Sequence, residues 1–248
     1  MGISDRIRKE KTFREEGNQE MANDNIVAII PVKKHSSRLS NKNILPFADS
    51  NLLIHKIRQL KKVEALNQII VSTDSEEMIK MAEQEGVQVQ HRPEKYANES
   101  LPISEFVTYL ADTIACDHFM WACVTSPLVD SDLYIRAIDV YFRKLDEGYD
   151  SLVTVLPFKH YLMDGKGPFN FSRGKAHPNS QKLPDYYLFT NGIQLTPHGK
   201  YKEWGDRIGE KPYLMEVKKD EAVDIDDIYD YEYAKLLWQM RLDGRCNA

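Results

Sequence analysis

Short apolar runs alternate along this chain with segments whose apolar residues recur at helical spacing. Residues 26–30 read IVAII, a run typical of a strand that is buried on both faces of a parallel sheet. Residues 52–63 place Leu53, Ile57 and Leu60 at helical spacing, which predicts an amphipathic helix. A strand, a loop and a helix therefore follow one another at the start of the pattern.

The same unit recurs along most of the chain. Strands are predicted at residues 68–71, 87–89, 119–124, 151–156 and 192–195, and helices at residues 75–85, 103–115, 130–142 and 227–241. In the helix at 130–142, Ile135, Ile138 and Phe142 are predicted to face inward. This order predicts an α/β fold with a mostly parallel, twisted, Rossmann-like sheet and helices on both faces. Ligands are expected at the carboxyl ends of its strands.

Two segments break the pattern. Residues 1–24 mix both charge signs with few large apolar side chains, which predicts a flexible extension, or alternatively a partner-binding arm. Residues 157–190 scatter glycine, proline, lysine and aromatic residues, and we interpret them as an insertion within a single domain at 25–248.

Composition narrows the class of protein. At 248 residues and 42% hydrophobic, the chain can bury one substantial core. A net charge of -5 provides no global positive field, so neither nucleic acid nor a membrane is expected as a partner. Cys116, Cys123 and Cys246 have neither disulfide nor zinc-site spacing, and a reducing cytoplasm fits them best.

The loop after the first strand is basic and rich in hydrogen-bond donors. Residues 31–43 contain Lys33, Lys34, Arg38 and Lys42 where α/β sheets bind nucleotide phosphates. The loop lacks the glycine patterns of Walker and dinucleotide-binding loops. It is therefore either a phosphate-binding loop of another kind or an ordinary solvated loop.

Carboxylates form the second chemical feature. Asp224 and Asp226 stand at i and i+2 in a predicted extended segment, so both can point the same way and reach one hard cation. An acidic surface is the alternative, because Asp220 and Glu221 lie nearby. Asp74, after the second strand, is a candidate for the metal or the sugar, or else for a helix cap.

Several short motifs occur in one order along residues 26 to about 240. They are I-I-P, a basic loop ending in K-N, I-I-V-S-T-D, R-P-E, T-S-P-L, N-G and D-I-D. Together they resemble the acylneuraminate cytidylyltransferase family, the CMP-sialic acid synthetases. The stretch Ser36-Ser37-Arg38-Leu39 is also similar to the related CMP-Kdo synthetases.

This resemblance implies a fold, a reaction and an assembly. The fold would be of the nucleotide-diphospho-sugar transferase type. The reaction would join CMP from CTP to an acidic 2-keto sugar, release pyrophosphate and use Mg²⁺, for a surface polysaccharide. The insertion at 157–190 would cross to a second subunit, so a homodimer is expected.

The resemblance also assigns roles to residues. The catalytic residues would be Lys33, Lys42, Asp224 and Asp226, with the two aspartates as metal ligands. The nucleotide would contact Pro31, Val32, Lys33, Ser36, Ser37, Arg38, Lys42, Asn43 and Arg92. The sugar would contact Asp74, Cys123, Thr125, Ser126 and Asn191.

Some positions depart from the family pattern. Lys33 stands where the family has an arginine, Cys123 where it has a glutamine, and Phe189-Thr190 where it has an arginine before N-G. Lysine lacks the bidentate fork that arginine offers to phosphates. The chain is therefore interpreted as a divergent member, and the alternative function is a catalytically inactive nucleotide-binding or assembly module.

Overall fold

A seven-stranded sheet forms the centre of the molecule. The computed structural model describes residues 24–36, 38–98 and 100–245, which leaves Ser37, Cys246 and most of the predicted extension at 1–24 outside the described residues. In chain order the strands of the central sheet and of two small hairpins are β1 Ile26–Pro31, β2 Pro46–Phe47, β3 Ser50–Asn51, β4 Gln68–Thr73, β5 Gln88–His91, β6 His118–Ala122, β7 Ser151–Phe158, β8 Met163–Asp164, β9 Gly167–Pro168, β10 Tyr186–Pro197 and β11 Pro212–Glu216.

The spatial order of the central sheet is β11-β7-β10-β6-β1-β4-β5, and two small hairpins, β2-β3 and β8-β9, stand apart from it. Strand β10 runs antiparallel to both of its neighbours, while the other neighbouring pairs are parallel. The predicted mostly parallel α/β sheet is therefore confirmed.

Helices connect and cover these strands. They are α1 Leu52–Leu60, α2 Glu76–Gln84, α3 Ile103–Thr113, α4 Ser131–Asp146, α5 His198–Trp204 and α6 Ile228–Leu242. Asn51, Ser75, Asp130 and Asp227 cap four of them, each with a side-chain oxygen that accepts a backbone N–H of the first turn. The short helix α5 and the edge strand β11 are not among the elements that the sequence pattern predicts.

The first strand shows that both faces of the sheet are covered. Val27 and Ile29 pack in a cluster with residues of α3 and α5. Ala28 and Ile30 belong to the larger cluster on the opposite face, which includes residues of α1, α2, α4 and α6. Because successive side chains of a strand point to opposite faces, the wholly apolar run IVAII is what such a sheet requires.

The irregular segment is shorter than the predicted insertion at 157–190. Strand β7 continues to Phe158, and β10 already begins at Tyr186, which pairs with Phe158. Residues 159–185 between them contain the β8-β9 hairpin and two 3₁₀ turns. Residues 186–190 therefore belong to β10 and not to the predicted insertion.

No helix within the described ranges is long and apolar enough to cross a lipid bilayer.

Candidate active site

A cleft of about 570 Å³ opens at the carboxyl ends of β1 and β6. A cavity of this size is in the range of small-molecule sites. Its lining residues come from six parts of the chain: the basic loop after β1, the segment 92–106, the end of β6 with the residues that follow it, the middle of β10, the loop after α5, and the acidic segment before α6. This is the edge of the sheet at which ligands bind in α/β folds.

The basic loop and the acidic segment meet across the cleft. Arg38 Nη1 lies 2.7 Å from Asp226 Oδ2, and Lys42 Nζ lies 3.4 Å from Asp226 Oδ1. Lys42 Nζ also donates a hydrogen bond to the carbonyl oxygen of Ile225 at 2.9 Å. Residues more than 180 positions apart in sequence are thereby brought together.

Two further residues hold the basic loop in place. The Asn43 amide donates to the carbonyl oxygen of Lys33 at 2.9 Å, and the backbone N–H of Lys34 donates to Asp74 Oδ1 at 2.8 Å. Asn43 is itself buried. These two hydrogen bonds fix the backbone of the loop, which lacks the glycine pattern of Walker and dinucleotide-binding loops.

Asp224 and Asp226 both line the cleft, while Ile225 between them is fully buried in the core. This alternation is what their i and i+2 spacing predicted. Asp224 Oδ2 accepts a hydrogen bond from Asn191 Nδ2 at 2.9 Å, and Asp224 Oδ1 is buried with no hydrogen-bond partner. A buried carboxylate oxygen of this kind requires a cation or a donor.

Asn191 owes its position to an irregularity in β10. The pairing register with β7 shifts between Phe189 and Gln194, and Asn191 adopts a left-handed backbone conformation with φ of 54°. Asparagine is one of the few residues other than glycine that tolerates this conformation. The bulge points the Asn191 amide at Asp224.

Arg92 is a rigid cation in the wall of the cleft. It is 6% exposed, its Nη2 donates to the carbonyl oxygen of Ser72 at 2.7 Å, and its guanidinium lies 4.0 Å from the ring centroid of Phe106. Burial lowers the pKa of Arg92 to about 10, so the group stays charged at neutral pH. Beside it, Tyr96 stacks on Tyr109 with 4.3 Å between ring centroids.

Cys123 lies at the floor of the cleft. Its sulfur accepts a hydrogen bond from the indole N–H of Trp121 at 3.2 Å. Burial, together with the charge of Asp224, raises the pKa of the Cys123 thiol. The thiol is therefore protonated at neutral pH and is poorly suited to act as a nucleophile.

The structure brings most of the predicted site residues to this one cleft. Those that line it are Pro31, Lys33, Ser36, Arg38, Lys42, Asn43, Arg92, Cys123, Thr125, Asn191, Asp224 and Asp226. Their individual roles remain predictions. Ser37 lies outside the described residues.

Three predicted residues do not line the cleft. The Val32 side chain is packed in the core, because the backbone still pairs with β4 at this point. Ser126 is fully buried, and its carbonyl oxygen accepts a hydrogen bond from Lys56. Asp74 holds the backbone of Lys34, and Ser75, one residue later, caps α2. The prediction that Asp74 and Ser126 contact a sugar is therefore not supported by their positions.

The sequence reasoning missed Arg207 and Trp121, which also line the cleft. Arg207 follows α5 in a loop without a chemical motif, and Trp121 belongs to an apolar strand. The signal that could have identified Arg207 is its place between two glycines, Gly205 and Gly209, in the loop that leads into β11, a strand that the sequence pattern did not predict.

Comparison with known proteins identifies the family. A family model described as cytidylyltransferase matches residues 27–163, more than half of the chain. An N-acylneuraminate cytidylyltransferase of Escherichia coli is 29% identical over 228 residues, which are 87% of this chain and 52% of that protein. The chain thus spans about half the length of this relative. A pseudaminic acid cytidylyltransferase of Campylobacter jejuni is 23% identical over 86% of this chain and 96% of its own length.

Solved structures share the fold. A CMP:2-keto-3-deoxy-manno-octonic acid synthetase complexed with CTP superposes with a TM-score of 0.63 at 13% identity, over 88% of this chain and 99% of that chain. The 4-diphosphocytidyl-2C-methyl-D-erythritol synthase of Anaerococcus prevotii gives 0.62 at 15% identity, over 88% and 98%. At these identities the likeness concerns the fold alone. The family match, which extends from β1 to the start of the irregular segment, shows that this chain belongs to the cytidylyltransferase family.

Proposed function

We propose that this protein transfers CMP from CTP to a 2-keto sugar acid of the sialic acid type, with release of pyrophosphate. The contact of Arg38 and Lys42 with Asp226 across the cleft carries this proposal, because these two cations would bind phosphate next to a carboxylate that would hold the metal. The activities named for the relatives from Escherichia coli and Campylobacter jejuni, both cytidylyltransferases of sugar acids, support the same reaction.

The charge of the cleft suits a triphosphate. Its lining includes five lysine and arginine side chains, namely Lys33, Arg38, Lys42, Arg92 and Arg207, and two carboxylates, Asp224 and Asp226. Five positive and two negative charges leave a local excess of three positive charges in a protein whose net charge is -5. The positive potential is thus concentrated where the nucleotide would lie.

Asp224 and Asp226 fit a magnesium ion. Asp224 Oδ1 is buried without a partner, and Asp226 faces the same cleft. No cluster of three or more acidic, histidine or cysteine ligands occurs in the part of the chain that the structure describes. Mg²⁺ is commonly held by one or two carboxylates, with waters and substrate phosphates as its other ligands, so two aspartates suffice. The bound ion would neutralise phosphate charge and polarise the α-phosphoryl group.

The chain's own residues would act mainly by positioning and electrostatic stabilisation. The anomeric hydroxyl oxygen of the sugar forms a bond to the α-phosphorus, the bond to the bridging oxygen breaks, and pyrophosphate leaves with that electron pair. The hydroxyl proton passes to water. Lys33, Arg38 and Lys42 would stabilise the negative charge that grows on the leaving phosphates. No covalent enzyme intermediate is required.

We propose that this reaction takes place in the cytoplasm, where CTP is available. We also propose a homodimer, because apolar side chains of the segment 159–185 and of the exposed start of β10 face solvent. They include Tyr161, Met163, Phe169, Tyr187 and Leu188, which are between 41% and 69% exposed. Large exposed apolar patches mark protein interaction sites.

Pyrophosphate release tests the proposed function directly. The purified chain is incubated with CTP, Mg²⁺ and, in turn, N-acetylneuraminic acid, pseudaminic acid and 3-deoxy-manno-octulosonic acid. We expect pyrophosphate to be released with at least one acid, to depend on that acid, and to stop when EDTA removes the metal. UTP and ATP in place of CTP serve as controls for the nucleotide. A protein that binds CTP but releases no pyrophosphate with any acid would be a nucleotide-binding module.

A further inference from the structure

A cation without a carboxylate partner lies at the end of the cleft away from the basic loop. Arg207 Nε donates to Gln194 Oε1 at 3.0 Å, and Arg207 Nη2 donates to Asn191 Oδ1 at 3.1 Å. The guanidinium also lies 5.1 Å from the ring centroid of Trp121, within the range of cation–π contacts. Among the described residues, Arg207 forms no ion pair with an aspartate or glutamate.

The backbone around Arg207 is tightly held. Thr196 Oγ1 donates to the Arg207 carbonyl oxygen at 2.6 Å, and the Gly209 N–H donates to Ser151 Oγ at 3.0 Å. A Cβ atom at Gly209 would collide with the side chains of Asp150 and Ser151, so a larger residue there would have to displace them. The guanidinium is thus presented to the cleft from a fixed loop, as a preorganised binding group requires.

A buried donor lies beside this guanidinium. Gln194 is fully buried, and its Nε2 has no hydrogen-bond partner although its Oε1 accepts from Arg207. Gln194 itself does not line the cleft, so it holds the guanidinium from within the core, while the Arg207 side chain faces the cleft.

A single amide connects Arg207 to the acidic residues. Asn191 accepts from Arg207 through Oδ1 and donates to Asp224 Oδ2 through Nδ2, at 3.1 and 2.9 Å. Arg207 is therefore separated by only the Asn191 side chain from Asp224, the carboxylate that would hold the metal. The metal would in turn hold the reacting phosphate. A ligand group bound by Arg207 lies next to the point of phosphoryl transfer.

The chemistry of a 2-keto sugar acid matches this arrangement. In the ring form, the carboxylate and the anomeric hydroxyl are attached to the same carbon. When the hydroxyl is in line with the α-phosphorus, the carboxylate must therefore lie close beside it. We propose that Arg207 binds the carboxylate of the acceptor and makes the site select sugar acids over neutral sugars. This inference rests on the proposed function. The planar fork of arginine suits a carboxylate.

Binding measurements with an acid and its uncharged ester test this inference. The probe is the acid that the wild type binds most tightly among N-acetylneuraminic, pseudaminic and 3-deoxy-manno-octulosonic acid, together with its methyl ester. Calorimetric titrations are made with CTP present and the metal chelated, so that no turnover occurs. For Arg207→Gln we expect a loss of roughly 100-fold in affinity for the acid, as when one partner of a buried charge pair is removed. Affinity for the ester should stay at the wild-type value.

Companion variants separate charge, geometry and folding. Arg207→Lys keeps the charge without the fork, and we expect an affinity for the acid between those of wild type and Arg207→Gln. Arg143, exposed on α4 away from the cleft, provides the control Arg143→Gln with unchanged binding. Unchanged CTP affinity shows that each variant is folded. In turnover, Arg207→Gln should raise the KM for the acid and leave the KM for CTP unchanged.

Two results would overturn the inference. The first is that Arg207→Gln binds the acid as tightly as the wild type does. The second is that the wild type binds the acid no more tightly than its ester, or binds none of the three acids. The proposed function is judged separately by pyrophosphate release from the wild type. Release that is unaffected by Arg207→Gln would leave the reaction in place and remove only the role of Arg207.

Discussion

Lys56 is an unusual residue of the core, because its side chain is fully buried and, among the described residues, forms no ion pair with a carboxylate. Its ammonium donates to the carbonyl oxygens of Ser126 and Val129 and to the hydroxyl of Tyr134, at 2.9, 3.2 and 2.8 Å. Burial lowers the pKa of Lys56 from 10.5 to about 7. The three hydrogen bonds hold the backbone that follows Thr125 in the wall of the cleft.

Replacing Lys56 with methionine should remove a pH dependence of stability. The pKa is about 7 when folded and near 10.5 when unfolded, so the unfolded chain binds more protons between these values. The contribution of Lys56 to the free energy of unfolding therefore rises with pH across that window. The destabilisation that results from burying its charged form is largest below pH 7. Urea denaturation of wild type and Lys56→Met at several pH values measures the difference.

The exposed Lys80 supplies the control for this prediction. Lys80→Met should leave the slope of stability against pH unchanged. A Lys56→Met protein whose stability difference from wild type is the same at pH 7 and pH 10 would contradict a buried, titrating lysine.

Single residues also show what the sequence could not reveal. The basic loop and the paired aspartates were identifiable because their residue types and spacing carry chemistry by themselves. Lys56 and Arg207 were not, because their importance depends on burial and on partners that are distant in sequence. For Asp74 the sequence offers the metal, the sugar or a helix cap, whereas its hydrogen bond with the Lys34 backbone depends on the path of the neighbouring loop.

At the scale of elements, the bulge of β10 shapes the cleft. Gly192, next to Asn191, sits where an added Cβ would lie 3.1 Å from Thr154 Oγ1 and 3.2 Å from Val129 Cγ2. Both neighbours belong to the buried interior. The close approach at Gly192 therefore keeps Asn191 in the register that brings its amide to Asp224.

Gly192→Ala should destabilise the protein by about 1–3 kcal/mol, as overpacking in a core does. The variant should also turn over more slowly than the loss of folded protein explains, because Asn191 would move. Gly199 in α5 has open space around its Cα, so Gly199→Ala should be neutral or stabilising. Chemical denaturation and pyrophosphate release check both variants. Equal stability of the two would show that the bulge is not tightly packed.

Helix and strand types were predictable, whereas their faces and ends were less so. Of the residues predicted to face inward on α4, Ile138 is buried, which is confirmed, whereas Ile135 is 45% exposed. The buried face also includes Leu133, Tyr134, Ala137 and Tyr141. Tyr134 and Tyr141, which are buried, were not counted toward the inward face, so the predicted face is rotated toward Ile135. Strand β10 began six residues before its predicted start at 192, because those residues pair with β7 at the exposed margin of the sheet.

At the scale of the whole molecule, the exposed apolar side chains of the segment 159–185 are the clearest sign of an assembly. Met163 and Phe169 are 69% and 60% exposed. Both lie at the small β8-β9 hairpin, which is separate from the central sheet. A second copy of the chain would cover them, as the proposed homodimer requires.

The double variant Met163→Lys/Phe169→Lys should convert a dimer into a monomer, because lysine charges at the centre of an interface must be desolvated. Light scattering coupled to size-exclusion chromatography measures the mass. Tyr229 and Leu236, exposed apolar residues of α6, give the matched control Tyr229→Lys/Leu236→Lys, which should remain dimeric. A monomeric wild type at micromolar concentration would contradict the proposed assembly.

The central claim is that the basic loop and the two aspartates together hold a metal-bound triphosphate for transfer. Its most direct test is pyrophosphate release from CTP and a sugar acid by wild type, by Asp224→Asn/Asp226→Asn and by the control Asp139→Asn, whose carboxylate is exposed on α4. We expect the double variant to lose activity by roughly 100- to 1,000-fold and to bind CTP without metal as the wild type does. The control variant should have wild-type activity. Wild-type activity in the folded double variant would contradict the account.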